Sequence, residues 1–412
     1  MYLQLFWKEC RQNMKSMTYV LYVCCMILFF VTQLQDIEGI SKPQPGQKKY
    51  GERLSDDKDV RMECALTELF YSYQQNSYPT YPLGFYKNVQ SDEKEQEMVK
   101  ETLEMLTGRT MEELEKENAS YEKRIREALE GKNEENIWEI SAFKIMPAES
   151  ITYETFLKEM KKIDAMLGGG SRFSEKRIES EATVEMTYEQ AKEEYEKIIE
   201  KDKVSGAYAR LFCDYFGILL AILPVFLAVT RAVRDRRAKA QEVIASKEIS
   251  SSILILIRYF AVVTAAMIPV LLLSISPAFQ ASYVAKSLGT SGDFLLYGKY
   301  LAGWLLPSVL FSVSAGFFFT ELVGGTFSIL MMGMYWLISI FQSAYKLIGS
   351  VGWNVIPRFN SLGERGIYES IFPQLAANRI FYTGLSILLI FATVIIYDKK
   401  RKGRWGKNGK RH

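Results

Sequence analysis

Long stretches of this chain carry almost no charge, and a single stretch dense in charge separates the first of them from the rest. Apolar runs at 17–34, 211–230, 252–275, 294–319, 327–347 and 380–397 each approach the ~20 residues that cross a ~30 Å hydrocarbon layer as a helix. They predict six membrane helices. Pro224, Pro269 and Pro307 fall inside three of the runs. Membrane helices tolerate such prolines because neighbouring groups satisfy the freed backbone. The first run follows a basic segment, as a signal peptide would. The residues after it, Gln33 to Glu38, offer no small-x-small cleavage site, so it reads as an uncleaved membrane helix. Ahead of it, residues 1–16 mix Leu3, Leu5, Phe6 and Trp7 with Lys8, Arg11 and Lys15, the pattern of an amphipathic helix at an interface.

Between the first and second runs, residues 35–205 follow a soluble pattern. Pro43, Pro45 and Gly46 mark a linker. Apolar residues at three- and four-residue spacing predict helices over 57–73, 92–106, 111–129, 153–167 and 188–200. Leu103, Leu106, Leu114, Ile125 and Leu129 are expected to share one core face. Pro79, Pro82 and Gly84, and then Gly168 to Gly170, break the pattern, and 172–186 is expected to hold a short extended piece. The aromatic stretch of Phe70, Tyr71, Tyr73, Tyr78, Tyr81, Phe85 and Tyr86 is expected to fill the segment's own core rather than to anchor a partner. The segment is long enough to bury such a core. The expected fold is therefore all-α and polytopic, with six transmembrane helices and a mainly helical extracytoplasmic domain inserted after the first.

Charge sharpens this division. The insert from Asp36 to Ser205 carries 38 Asp and Glu against 26 Lys and Arg, a net −12. The remainder carries 25 Lys and Arg against 10 Asp and Glu, a net +15. Lys8, Arg11 and Lys15 precede the first run; Arg231, Arg234, Arg236, Arg237, Lys239 and Lys247 follow the second. A tail at 399–412 carries Lys399, Lys400, Arg401, Lys402, Arg404, Lys407, Lys410 and Arg411. With six crossings all three groups lie on one side, which the positive-inside rule makes cytoplasmic. Both ends are then expected on the cytoplasmic side of the membrane and the acidic insert outside. Basic residues beside apolar runs, rather than on a soluble face, exclude a nucleic-acid-binding chain. Of the five cysteines only Cys64 lies in the insert, where it is expected to be a plain buried thiol.

The chemistry is mostly exclusion. No G-x-x-x-x-G-K-[ST] phosphate loop occurs, and Gly168-Gly-Gly-Ser171 lacks the lysine. The only histidine is His412, and no cysteine pair has metal-binding spacing, so neither an enzyme nor a metal centre is expected. Asn118-Ala-Ser120 matches a glycosylation acceptor triplet. Asp214, Arg258, Lys299, Glu321 and Lys346 border apolar runs and are expected to reach the interface. Asp214 and Arg210, one turn apart, are expected to pair with each other. Gly298, Gly303 and Gly316 are expected to permit close helix packing. Residues 349–378 are too polar to span, and are expected to dip back as short outer helices. The connection after the second run reads as a stop-transfer flank, Arg231 to Lys239. A short helix follows at Gln241 to Ser246 with Val243 and Ile244 exposed. A rigid helix at the membrane face is something a soluble motor subunit can grip.

This order of features resembles the permease subunits of bacterial type 2 ABC exporters, in particular the subgroup with a large extracytoplasmic domain between the first two membrane helices. Several stretches are similar to that group: Phe156-Leu-Lys-Glu-Met through Gly168-Gly-Gly-Ser171, and Tyr188-Glu-Gln-Ala through Ala207-Tyr-Ala-Arg-Leu-Phe-Cys-Asp-Tyr215. So are Trp304-Leu-Leu-Pro307, Thr320-Glu-Leu322, Pro357-Arg-Phe-Asn360 and Asn378-Arg-Ile-Phe-Tyr382. The resemblance implies an elbow helix at 1–16, membrane helices at 17–34 and across 206–398, a coupling segment at 231–250 and a re-entrant segment at 349–378. It implies that Arg234, Arg237, Gln241, Glu242, Val243, Ile244 and Lys247 couple the chain to a separate ATPase subunit. Glu242 stands where the family keeps an acid. ATP and Mg would be bound by that subunit, with no cofactor on this chain. A second permease chain, identical or paralogous, would complete the assembly. The rival reading is a membrane sensor whose outer domain binds a ligand.

Overall fold

The computed structural model describes residues 2–34, 39–82, 86–131, 140, 142–344 and 346–403, apart from the side chains of Gln241 and Ala245. Asp36, Phe85 and the tail from Arg404 to His412 lie outside the described residues. The chain divides into two compact units. One comprises Met1–Lys42, Glu194–Ser343 and Leu347–His412; the other comprises Pro43–Glu193 and Ala344–Lys346.

The first unit is the apolar one. It opens with α1 (Tyr2–Met14), an amphipathic helix, and α2 (Met17–Leu34). After the insert come α9 (Ser205–Leu220), α10 (Leu223–Arg237), the five-residue α11 (Gln241–Ala245) and α12 (Ser251–Ser287). Then α13 (Phe294–Tyr300) runs through one π turn, Leu301–Leu305, into α14 (Leu306–Leu322). α15 (Gly325–Ala344) and α16 (Arg365–Arg401) complete the set. Five helical stretches are long and apolar enough to cross a membrane. The count becomes six when α9 and α10, bent by 41°, are taken as one span. The bend is the first departure from the expected spans. Pro224 has no amide hydrogen to donate and sits in the opening turn of α10, so the ladder breaks just before it. Pro307 likewise opens α14, directly after the widened π turn. Pro269 and Pro277 are carried inside α12 without a break.

A second departure lies at 349–378. The expected short helices do not form. β5 (Ile348–Ser350) pairs antiparallel with β6 (Arg358–Phe359), and Arg365 then begins a continuous 37-residue helix. The hairpin is held from outside itself: Ser308 Oγ donates to Val355 O at 3.2 Å, and Asn378 Nδ2 to Gly352 O and Asn354 O, both at 2.9 Å. α14 packs between α10 and α16, and α1 lies along α12.

The second unit contains β1 (Glu52–Leu54), α3 (Lys58–Gln75), β2 (Tyr78–Thr80), β3 (Lys87–Val89), α4 (Glu93–Thr107), α5 (Met111–Leu129), α6 (Tyr153–Met166), α7 (Glu175–Glu181) and β4 (Thr183–Glu185). α8 (Tyr188–Glu200) follows and leads back to the first unit. The extended piece expected within 172–186 is β4, paired antiparallel with β1. Local sequence sets the ends of these helices. Asp92 with Glu95 and Thr110 with Glu113 form capping boxes that open α4 and α5, and Gly108 closes α4 in the left-handed region. The core gathers Leu66, Leu69, Phe70, Tyr78, Leu103, Leu106, Leu114, Phe156, Met160 and Ile163, all fully buried. Of the expected core face, Leu103, Leu106 and Leu114 are there. Ile125 is half-buried and Leu129 is exposed, because α5 runs on past the packed region. The aromatic stretch supplies Phe70 and Tyr78 to the core, while Tyr86 is exposed.

Candidate coupling site

α10 ends at Arg237, and Lys239 takes a positive φ of 52°, which turns the chain sharply into α11. α12 then starts under a Ser250 cap, its hydroxyl accepting from Ile253 N at 3.3 Å. Both shoulders of this turn are fixed. On the α10 side, Arg231 grips Glu9 of α1 with two bonds, Nε to Oε2 at 2.6 Å and Nη2 to Oε1 at 2.5 Å. Arg231 Nη1 also donates to Asp235 Oδ1 at 3.2 Å, and Asp235 in turn pairs with Arg258 of α12. Glu9, Arg231 and Arg258 are buried, a setting where paired and hydrogen-bonded charges hold their geometry and unpaired ones are costly. Two carboxylates, Glu9 and Asp235, thus face three arginines and hydrogen-bond two of them, with Arg234 Nη1 at 4.0 Å from Glu9. The third, Arg234, is satisfied by neutral acceptors, Gln12 Oε1 at 2.8 Å and Asn13 Oδ1.

On the α12 side the anchor is the end of α16. Arg401 donates from Nη1 to Ile249 O and from Nη2 to Lys247 O, each at 2.6 Å. Asp398 Oδ1 accepts from Ser251 Oγ at 2.9 Å. Lys400 reaches Glu321 at the end of α14. One end of this unit thus gathers α1, the end of α10, the start of α12 and the ends of α14 and α16.

Between these anchors, α11 itself is exposed. Glu242 and Val243 are exposed, the latter at 61%, and Ile244 is half-buried. Among the described residues Glu242 makes no side-chain hydrogen bond or ion pair. Arg237 and Lys247 are exposed as well. Of the residues expected to act in coupling, Arg234 is the exception, because its guanidinium is held against α1. The side chain of Gln241 lies outside the described residues.

The opposite end of the same unit is pinned by two more buried carboxylates. Asp214 accepts from Arg358 Nε at 2.9 Å, Arg358 Nη2 at 3.0 Å and the Phe359 amide at 2.5 Å, which fixes β6 to α9. Arg210 pairs with Asp202, which also receives Arg365 Nη1 at 2.5 Å, and Arg210 donates further to Leu362 O at 3.2 Å. The expected pairing of Arg210 with Asp214 is therefore corrected. Asp214 takes Arg358, 144 positions away, and Arg210 turns back to Asp202, eight positions before it, where Arg365 also reaches the same carboxylate. Asp214, Arg258 and Glu321, expected at the interface, are likewise buried in ion pairs, whereas Lys299 and Lys346 are exposed. Arg379 meets no carboxylate among the described residues. It donates to Ser308 Oγ at 2.8 Å, Trp304 O at 3.1 Å and Val355 O at 3.3 Å, tying α16 to the π turn and the hairpin.

Residues 76–362, more than half of the chain, match the family model described as ABC-2 family transporter protein. The chain belongs to that family. No curated protein and no solved structure matches it. Membership makes this multi-pass membrane protein a permease of an ABC transporter, a component that works with an ABC ATPase. The match takes in α11 and the hairpin and stops before α16, so Glu9, Asp398 and Arg401 lie beyond it. The stretches that carried the resemblance prove to be joints of the ABC-2 permease. Arg379 of Asn378–Tyr382 reaches the carbonyl of Trp304, and Arg358 of Pro357–Asn360 reaches Asp214. Glu9, Asp235 and Asp202 were missed from sequence. The signal available for Glu9 and Asp235 was a lone acid in an otherwise basic segment.

Proposed function

We propose that this ABC-2 permease is the transmembrane subunit of an ATP-driven exporter and that α11 is the helix its ATPase grips. The observation that carries the reading is a short helix with exposed Glu242 and Val243, suspended between two shoulders that are each tied to other membrane helices. A load applied to α11 would reach α1 and α10 through Glu9 and Arg231, and α16 through Arg401. Such connected rigid elements carry hinge or rigid-body transitions.

Counting α9 and α10 as one span gives six crossings. That parity agrees with the gathering of α1, α11 and the end of α16 at one end of the first unit. The excess of Lys and Arg there supports a cytoplasmic location for that end, the acidic insert then being an extracytoplasmic domain of a bacterial cytoplasmic membrane protein. Two such chains with two ATPases form the proposed assembly, ATP and Mg being held by the ATPases. The test is a photo-crosslinking amino acid placed at Val243. The reading expects capture of a soluble protein bearing a phosphate loop, and no capture from the same group at Leu129. A crosslink confined to lipid or to the chain itself would overturn it.

A further inference from the structure

Two residues just before α9 hold a backbone that their side chains oppose. Lys203 and Val204 both take positive φ, 48° and 58°, and Val204 combines it with a ψ of −50°. The Ser205 amide then donates to Lys203 O at 2.5 Å, which closes a γ-turn of the rare, strained kind around Val204. A β-branched residue is poorly suited to that position, yet the Val204 side chain is fully buried in the core of the first unit. Such strain persists only where surrounding contacts enforce it.

The contacts come from Asp202 and from the start of α16. Asp202 is 1% exposed, and its Oδ1 receives both Arg210 and Arg365. Its Oδ2 and Arg210 Nε are buried as well, and neither has a hydrogen-bond partner among the described residues. An arginine and a carboxylate pair best through two parallel bonds. Sharing Oδ1 with Arg365 leaves Arg210 with one bond to Asp202, and leaves an unused donor and an unused acceptor on the two side chains. On α8, Glu194 Oε1 accepts from the amide of Glu364, itself at a φ of 55°. Of the five non-glycine residues with positive φ among the described residues, three therefore belong to this one joint of α8, α9 and α16. α16 runs unbroken from there to Arg401, which holds the start of α12 through Ile249 O.

We propose that residues 202–204 are a sprung hinge between α8 and α9, latched by Arg365. While α16 presents Arg365 to Asp202, the γ-turn is held. When α16 draws Arg365 away, Asp202 turns to Arg210 alone, the γ-turn relaxes and the end of α8 swings on Val204. A discrete change of this kind needs an element with two arrangements, and the unused Oδ2 and Nε supply the pairing of the second one. The inference stands on the first unit alone and holds whether or not an ATPase grips α11.

The test is hydrogen–deuterium exchange of the full chain in mild detergent, read over 198–206, where the bonded amides of Val204, Ser205 and Gly206 close the hinge. Arg365→Gln should speed exchange there about tenfold, the scale of one strained residue, and leave 308–316 of α14 unchanged. Glu369→Gln removes only the second partner of Arg365 and should leave both stretches unchanged. The sign of the next comparison decides the matter. Val204→Gly in the Arg365→Gln background should slow exchange back toward the wild-type rate, because glycine adopts this backbone freely. Val204→Ala in the same background keeps the Cβ and should not slow it. An ordinary ion pair beside an unstrained turn would give the reverse, since glycine loosens a chain more than alanine does. No acceleration by Arg365→Gln, acceleration that spreads into α14, or exchange with glycine as fast as with alanine or faster would overturn the proposal.

Discussion

Glu9 shows how much a single residue can organise. A carboxylate in a basic amphipathic helix reads in sequence as one more surface charge. In the fold it is buried and receives two bonds from Arg231, with Arg258 Nε at 3.9 Å. Its removal leaves buried guanidinium groups without their counter-charge, a change worth about 3 kcal/mol or more. Glu9→Gln is therefore expected to lower the thermal unfolding temperature in detergent clearly, while Glu112→Gln on the surface of α5 leaves it in place. Partners of this kind are not legible one residue at a time, since 222 positions separate Glu9 from Arg231. Cys64, expected to be buried, is a thiol that the fold leaves half-buried. It donates weakly to Thr183 O, and half-burial pushes its pKa up from that of an ordinary thiol. A raised pKa means less thiolate at a given pH. Alkylation of Cys64 should be slower than that of a free thiol at pH 7.5, and its rate should still be climbing above pH 9. A rate already at its plateau by pH 8 would contradict this placement.

At the level of elements, periodicity and length located nearly every helix. α2, α5 and α8 have the bounds that the pattern predicts, because caps such as Thr110 with Glu113 and long apolar or amphipathic runs are local signals. What was not legible depends on neighbours. Residues 349–378 contain a hairpin, not short helices, since bonds from Ser308 and Asn378 hold β5 and β6 together from elsewhere in the chain. The glycines divide in the same way. At Gly316 an added Cβ would lie 2.7 Å from Ala228 Cβ, so α10 and α14 approach closely there. At Gly298 and Gly303 nothing lies within 4 Å, so the expected close packing is absent. Gly316→Ala should destabilise the protein by about 1–3 kcal/mol through overpacking, visible as a lower unfolding temperature. Gly303→Ala should be neutral or slightly stabilising, since alanine is the better helix former.

At the scale of the whole molecule, charge segregation and apolar runs were enough to reveal a polytopic membrane protein with a large insert, and the order of elements was enough to suggest its family. The segment proposed for coupling was legible as a short exposed helix. Its two anchors were not, because each is built from helices far apart in the chain. The resulting account assigns α11 the task of receiving work from a separate ATPase. Proline at Val243 would push the preceding Glu242 out of the helical region and disrupt this five-residue helix while leaving both anchors intact. The most direct measurement is the ATP hydrolysis rate of the complex purified through this chain from native membranes, compared with the Val243→Pro variant recovered at equal yield. The account predicts a co-purifying ATPase whose activity with the wild-type chain falls several-fold or is lost with the variant. Equal hydrolysis by both complexes, or a wild-type chain that brings down no ATPase, would contradict it.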